Sequence, residues 1–258
     1  MRTATRIGRA AFLAIIIATV AAGVASAQTA QQIIDRADQT FTMNRVWSRS
    51  VMTITRGGRE QAPQEMETYA LTDGDTTMSL AVFTAPARVR GTAYLTVGDD
   101  LWVRFSSTGR VRKLSSSARS NAAAGSDFSY SDMGDGSSSF TDRYTPQLNG
   151  RTRIDGQECF RIDLTPTDRS APYDGLTVYV TTDDYHYVQV DYFEQGTNVK
   201  TMTLSDYRPV GSLSYPFVVT MTSHEQDSIT TITTEEMEAD SARVRPDMFS
   251  VQYLGTIR

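Results

Sequence analysis

The sequence predicts a mainly β fold, an antiparallel meander that curls into an open or closed barrel after one short helix. From Arg45 onward, apolar and polar residues alternate with a period of two in most segments. Turn-forming pairs such as Gly57-Gly58 and Asn149-Gly150 separate these segments at the spacing of hairpins. Roughly eleven strands of ordinary length fit this pattern, and no helices alternate with them as they would in a parallel sheet.

The first 27 residues have the composition of a secretory signal peptide. Three arginines precede an apolar run from Ala10 to Val20, and the segment ends in Ala25-Ser26-Ala27, a pattern that signal peptidase cleaves. The run is short for a membrane span, which takes about 20 residues, and a retained anchor is the alternative. Because residue 28 is Gln and not Cys, no lipid can be attached at the new N-terminus. We therefore expect an exported protein that is cleaved after Ala27.

The chain that remains is acidic and has a single cysteine. Removing 27 of the 258 residues leaves 231, enough for one β domain over residues 28–258. The removed segment holds three arginines and no acidic residue, so the formal net charge falls from −5 to −8. Such a charge argues against nucleic acid and anionic membrane surfaces as partners. Cys159 cannot form an internal disulfide, and its alternating surroundings favour a buried core residue over a reactive thiol.

A short helix is predicted directly after the cleavage site. Thr29 and Gln32 have the spacing of a capping box, in which each side chain bonds a free backbone N–H of the first turn. The apolar residues that follow recur at helical spacing and define one face, formed by Ile33, Ile34, Ala37 and Phe41. A face of this kind is expected to pack against the sheet.

The meander is interrupted between Lys113 and Tyr144, where the period of two is lost. Residues 115–124 are compatible with a short helix, and residues 134–139 with a flexible loop. About thirty residues without strands are unusual inside a compact β domain and are often functional. We therefore predict a lid or plug over residues 115–140, and a long surface loop is the alternative.

The most distinctive part of this segment is "GSDFSYSDM", residues 125–133. Small polar loops rarely hold two aromatic residues and two aspartates so close together. The predicted apolar contacts of the lid come from Phe128, Tyr130 and Met133. The predicted role of Asp127 and Asp132 is structural, through bonds to nearby backbone N–H groups.

No catalytic or metal-binding signature is present in the sequence. The two histidines, His186 and His224, have no plausible nucleophile near them, and "SHEQDS" lacks the second histidine of a zinc-protease helix. A nucleophile elbow, a phosphate-binding loop and a glycine-rich dinucleotide turn are also missing. Paired carboxylates lie at turns or strand ends, where solvation explains them, and residues 132–135 lack the ligand spacing of a calcium loop. We predict a protein without catalysis, metal or cofactor.

Five segments together resemble a known family. They are "VFTAPARVRGTAYL", "DDLWVRFSSTGRVRKL", "GSDFSYSDM", "GQECFRIDLTP" and "TTDDYHYVQVDYFEQGTNVKTMTLSDY". From about Thr29 to the end, the chain resembles the LolA-like outer-membrane lipoprotein-sorting proteins of the bacterial periplasm. The resemblance implies an unclosed antiparallel barrel with helices against its concave face and an apolar cavity for acyl chains. It also implies a monomeric, non-catalytic carrier and an inner-membrane exporter of the resistance-nodulation-division (RND) type as partner.

An apolar cavity also follows from the strand pattern, because one short helix and one lid are a thin cover for so many strands. We expect the cavity to be lined by apolar residues that alternate with polar ones on successive strands: Met52, Ile54, Met78, Leu80, Val82, Leu95, Val219 and Met221. Two other functions remain open. The protein could be an accessory or regulatory subunit of a membrane transporter without cargo of its own, or an enzyme acting on envelope lipid or glycan.

Overall fold

The structure is a computed structural model that describes residues 28–40, 44–74, 76–115, 118–134, 139–169 and 171–258. The predicted signal peptide and Phe41 of the predicted helix face lie outside these residues. Within the described ranges, no helix has both the length and the apolar character needed to cross a membrane.

The chain begins with helix α1, Ala30–Gln39. The predicted capping box is confirmed: the backbone N–H of Gln32 donates to Thr29 Oγ1 at 3.2 Å, and that of Thr29 donates to Gln32 Oε1 at 3.0 Å. Two of the four free N–H groups at the start of the helix are thereby satisfied. The predicted apolar face is buried at Ile33, Ile34 and Ala37.

The described residues form fourteen strands, and these belong to one antiparallel sheet. Their bounds are β1 Arg45–Arg56, β2 Arg59–Glu60, β3 Gln64–Asp73, β4 Thr76–Ala85, β5 Ala93–Val97, β6 Asp100–Arg104, β7 Val111–Lys113, β8 Tyr144–Ile154, β9 Gln157–Pro166, β10 Gly175–Thr181, β11 Tyr187–Glu194, β12 Thr197–Val210, β13 Leu213–Ser223 and β14 Ser228–Ala239. The predicted count of about eleven was too low, because β2 and β7 are two and three residues long and too short to show a period.

The sheet is unclosed. Strands β7 and β8 are its two edges, and the order between them is β6, β5, β4, β3, β1, β14, β13, β12, β11, β10 and β9, with β2 paired to β1 alone. The predicted mainly β, antiparallel fold is therefore confirmed. The first and last long strands, β1 and β14, pair in the middle of the sheet. As a result, the segment between β7 and β8 has to connect one edge of the sheet to the other.

Both faces of the sheet are apolar, but different parts of the chain cover them. The inner face contacts α1 and the segment between β7 and β8, as the shared clusters around Ile34, Phe128 and Tyr130 show. The outer face, at strands β1 and β3 to β7, is covered by the C-terminal residues 244–257. These residues include a 3-10 turn, Pro246–Met248, and the short helix α3, Val251–Leu254.

The segment between β7 and β8 is called the lid below, with residues 118–134 as its described central part. The predicted helix over 115–124 is not formed by residues 119–124, which make turns and bends, and Ala122 makes an isolated bridge to Ser129. The backbone N–H of Ala123 donates to the carbonyl of Phe128 at 2.8 Å, which folds the segment into a tight loop. A one-turn helix α2, Tyr130–Gly134, follows, and residues 135–138 of the predicted flexible loop lie outside the described residues.

Candidate functional site

The lid places its apolar side chains on the inner face of the sheet. Phe128 is only 3% exposed and belongs to the cluster formed by α1 and strands β8 to β13. Met133 is partly buried and contacts both inner-face clusters. The two side chains therefore cover the inner face of the sheet next to helix α1, and Met133 links the two inner-face clusters.

Tyr130 lies against the other half of the inner face. Its ring packs edge-to-face on Tyr94 of β5, with ring centroids 5.5 Å apart. Burial raises the pKa of the Tyr130 phenol above its usual value, and it does the same for Tyr94. Both phenols thus stay neutral at physiological pH and act as amphipathic packing groups.

Asp127 ties the lid to strand β14. Its carboxylate accepts hydrogen bonds from the hydroxyl of Ser228 and, at 2.7 Å, from Thr230 Oγ1. Its own backbone N–H donates to the same Thr230 hydroxyl at 3.0 Å. The predicted structural role through backbone N–H groups therefore takes another form here, because two side-chain hydroxyls of the sheet supply the donors.

Asp132 does make the predicted bond to the backbone. Its Oδ2 accepts from the backbone N–H of Ser129 at 2.6 Å, and the N–H of Asp132 donates to Ser129 Oγ at 3.1 Å. These reciprocal bonds have the pattern of a capping box at the start of α2. They hold the carboxylate in a fixed position relative to the lid backbone.

A second partner of Asp132 was missed by the sequence analysis. Lys200 Nζ of β12 lies 2.5 Å from Asp132 Oδ2, and the two side chains are only 10% and 8% exposed. The ammonium also sits 4.8 Å from the ring centroid of Tyr173 and 4.8 Å from that of Tyr192. Lys200, Met202 and Leu204 alternate along β12, so a charge at an otherwise apolar inner-face position was the signal that could have found this pair.

The aromatic groups around the ion pair form a buried box. The hydroxyl of Tyr144 accepts from the backbone N–H of Tyr173 at 3.3 Å, and the rings of Tyr173 and Tyr192 pack edge-to-face at 4.8 Å. Burial is the main cause that raises the pKa of Tyr144 to about 12, and burial also raises the pKa values of Tyr173 and Tyr192 well above the usual value of a phenol. The box therefore offers the lysine neutral rings and hydroxyls, and the negative charge comes from the lid.

Helix α1 is tied to both the sheet and the end of the lid through Asp38. Its Oδ1 accepts from the Tyr187 hydroxyl at 2.8 Å, and its Oδ2 accepts from Ser139 Oγ at 2.5 Å. Burial raises the pKa of Asp38, and the two hydrogen bonds partly offset this effect. Helix α1, the end of the lid and strand β11 of the sheet thus meet at one carboxyl group.

The eight residues predicted to line one cavity do not share a surface. Four lie on the inner face, namely Met52, Ile54, Val219 and Met221. The other four pack on the outer face against the C-terminal residues: Met78, Leu80, Val82 and Leu95. The prediction that all eight line one cavity was wrong because a strand with apolar residues on both faces alternates in the same way whichever face is covered. On β4, the inner positions are Ala81 and Phe83.

The histidines and the cysteine have packing partners. His186 stacks on the ring of Tyr207 with centroids 3.9 Å apart, and burial lowers its pKa. His224 Nε2 is 3.0 Å from Thr201 Oγ1. Cys159 is fully buried, as predicted, and burial raises the pKa of its thiol. Across the described residues, no three His, Cys, Asp or Glu side chains form a group that could hold a metal ion.

An unclosed antiparallel sheet with a helix and a lid on its inner face is the LolA-like open-barrel fold. A LolA superfamily protein from Nitrosomonas europaea has a similar structure, with a TM-score of 0.73 and 22% sequence identity over 88% of this chain and 100% of that one. A domain described as an outer-membrane lipoprotein-sorting protein, from Vibrio parahaemolyticus, reaches a TM-score of 0.78 at 22% identity over 88% and 99% of the two chains.

Residues 75–256 match a family model whose description reads "Uncharacterized protein", and the chain belongs to that family. A solved DUF1329 family protein from Desulfovibrio piger is 25% identical, with a TM-score of 0.81 over 88% of this chain and 100% of that one. No curated protein matches the sequence. The resemblance to LolA-like proteins is therefore confirmed at the level of the fold.

Proposed function

We propose that this protein carries the acyl chains of a lipid or lipoprotein between its lid and the inner face of its sheet. The observation that carries the proposal is that a separate chain segment, the lid, covers the apolar inner face of an unclosed sheet. Phe128 and Met133 occupy the surface that an acyl chain would need. Cargo binding then consists of exchanging these side chains for cargo methylenes.

The construction of the lid supports such an exchange. Its described part holds a five-residue α-helix and a three-residue 3-10 helix, Phe140–Asp142, and its polar ties to the sheet include Asp127 with Ser228 and Thr230 of β14. Segments with little regular structure open at lower free energy than the strands beneath them. An acyl chain of about fourteen methylenes gains roughly 11 kcal/mol gross when buried, at ~0.8 kcal/mol per methylene, before ordering costs. That gain is large enough to offset the opening of a lid.

The comparisons support the same class of function. The name of the Vibrio parahaemolyticus domain refers to outer-membrane lipoprotein sorting, and the two folds agree along 88% of this chain. We extend the proposal to a periplasmic monomer that moves cargo between the inner and outer membranes without catalysis. An inner-membrane exporter of the RND type is the partner from which it would receive or to which it would deliver this cargo.

Native mass spectrometry of the protein taken from its own periplasm tests the carrier function. We expect adducts with the masses of acylated molecules, which organic extraction removes and added lipid restores. The bare polypeptide mass, together with no uptake of added acyl lipid after extraction, would contradict the proposal.

A matched pair of substitutions assigns the binding surface. Met221 and Leu80 are both fully buried, but Met221 lies on the inner face and Leu80 on the outer face. Changing either to Trp overpacks its cluster and should destabilise the fold by about 1–3 kcal/mol. Met221→Trp should weaken lipid binding as well, whereas Leu80→Trp should leave lipid binding unchanged. Equal loss of binding in both variants would show that the inner face is core and not a binding surface.

A further inference from the structure

The two residues of the ion pair belong to different parts of the fold: the cation is on the sheet and the anion is on the lid. Lys200 belongs to strand β12, and its residue as a whole is 8% exposed. Its Nζ lies 2.5 Å from Asp132 Oδ2 and 4.8 Å from the ring centroid of each of Tyr173 and Tyr192. The cation is therefore fixed to the part of the fold that stays in place, and the anion is supplied by the part that covers it.

A buried ammonium requires an anion, because desolvation without a partner costs far more than neutral rings return. Asp132 lies on the same short segment as Phe128 and Met133. Its carboxylate is fixed to the backbone of that segment, because it also accepts a hydrogen bond from the N–H of Ser129. If this segment leaves the inner face, the apolar surface and the ammonium lose their cover together. Whatever takes the place of the segment then has to provide both methylenes and a negative charge.

We propose that Lys200 binds the anionic headgroup of the carried amphiphile, and that Asp132 holds this position while the lid is closed. The inference rests on the proposed carrier function and narrows its cargo to amphiphiles with a carboxylate or phosphate next to the acyl chain. While the lid is closed, Phe128 and Met133 occupy the place of the acyl chain, and Asp132 occupies the place of the headgroup.

The chain itself offers a matched control. It has two lysines, Lys113 and Lys200, among 25 basic residues. Lys113 pairs with Asp100 at 2.7 Å on exposed strands, and its side chain is 53% exposed. Replacing either lysine by Met removes the same charge and keeps a side chain of similar length. Only Lys200 lies at the proposed headgroup position.

The test measures displacement of the uncharged dye N-phenyl-1-naphthylamine by three probes with the same alkyl chain: dodecanoate, dodecyl phosphate and dodecanol. Each is used below its critical micelle concentration and above neutral pH. We expect the wild-type protein to bind the two anions more tightly than dodecanol by roughly tenfold or more, the scale of one charged hydrogen bond. Lys200→Met should abolish that preference, and dodecanol should bind at least as tightly as in the wild type because the variant also loses an ion pair that holds the lid closed; Lys113→Met should behave as wild type.

Two further variants keep the test decisive. Asp132→Asn removes the internal competitor and should increase the preference for the anions over dodecanol. If Lys200→Met alone does not fold, the double variant Lys200→Met, Asp132→Asn leaves no unpaired charge and serves in its place. The stronger of the two anionic probes identifies the headgroup as a fatty-acid carboxylate or a phosphate.

The possible failures are distinct. If dye and dodecanol bind but Lys200→Met keeps the preference for anions, the headgroup site is wrong and acyl carriage stands. The same conclusion follows if the wild-type protein shows no preference. If neither dye nor dodecanol binds to the wild-type protein, the carrier function fails and the headgroup site fails with it.

Discussion

Truncating Phe128 to Ala should destabilise the closed protein and strengthen ligand binding at the same time. Phe128 is 3% exposed, so nearly its whole side chain is buried against helix α1 and the inner face of the sheet when the lid is closed. A buried aromatic side chain covers about 150–250 Å², worth roughly 4–6 kcal/mol at ~25 cal/mol per Å². Phe-to-Ala changes in protein cores cost about 3–5 kcal/mol. We therefore expect a loss of about 4 kcal/mol in the contact between lid and sheet.

The same loss should appear as a gain in affinity, because an apolar ligand has to displace Phe128 before it can bind. Every ~1.4 kcal/mol that the closed lid loses is worth a factor of about ten, so Phe128→Ala should bind N-phenyl-1-naphthylamine at least tenfold more tightly. Urea unfolding and dye titration measure the two effects. Phe249→Ala is the control, because Phe249 is 7% exposed and lies on the outer face. Equal dye affinities in the two variants, or weaker binding in Phe128→Ala, would refute the reasoning.

Three further predictions concern charged groups. Asp132→Asn should cost about 3–5 kcal/mol of stability by urea unfolding, because it leaves buried Lys200 unpaired. Asp127→Asn keeps an acceptor for one hydroxyl and should cost about 1–2 kcal/mol, and equal losses would contradict this difference. Because burial raises the pKa of Asp38, the folded state binds its proton more tightly, so this carboxyl makes stability fall as pH rises from about 3.8 through the raised pKa. Asp38→Asn should remove that part of the slope, and an unchanged slope would show that Asp38 does not cause it. Reductive methylation of the ligand-free protein should modify Lys113 and spare Lys200, and equal rates for the two lysines would contradict the buried pair.

The strands and the first helix could be predicted from the sequence because their signals are local. A period of two depends only on neighbouring residues, and the capping box of Thr29 and Gln32 lies within one helical turn. The interruption of the strands between Lys113 and Tyr144 was also predictable, since the loss of the period of two is itself a local signal. The family resemblance supplied the unclosed form of the barrel, which periodicity alone left open.

The choice of face could not be predicted, because it depends on distant segments. On β4, Leu80 is covered by C-terminal residues such as Phe249, whereas Phe83 faces the lid. Leu80 and Phe83 are both apolar, so the sequence of the strand does not indicate which of them lies on the proposed binding face. The helix prediction for residues 119–124 failed for a related reason. The Ala-rich stretch favours a helix locally, but the backbone hydrogen bond from Ala123 to Phe128 closes a loop instead.

The ion pair of Asp132 and Lys200 joins residues that are 68 positions apart. Spacing in the sequence therefore could not link them, although each residue was unusual where it stood. Asp132 was recognised through its place in the lid, and Lys200 was overlooked among the alternating residues of β12. A charge at an apolar position of a strand indicates a buried partner, and the structure identifies which segment supplies it.

The most direct test of the account is to lock the lid. Asp127→Cys and Thr230→Cys are suited to this, since the backbone N–H of Asp127 lies 3.0 Å from Thr230 Oγ1 and a disulfide needs β-carbons about 4 Å apart. The pair is made in a Cys159→Ala background, and mass spectrometry confirms the crosslink. We predict that the oxidised protein does not bind N-phenyl-1-naphthylamine or dodecanoate, and that reduction restores binding. Equal binding by the oxidised and reduced forms would show that cargo does not enter beneath the lid, and would contradict the carrier mechanism.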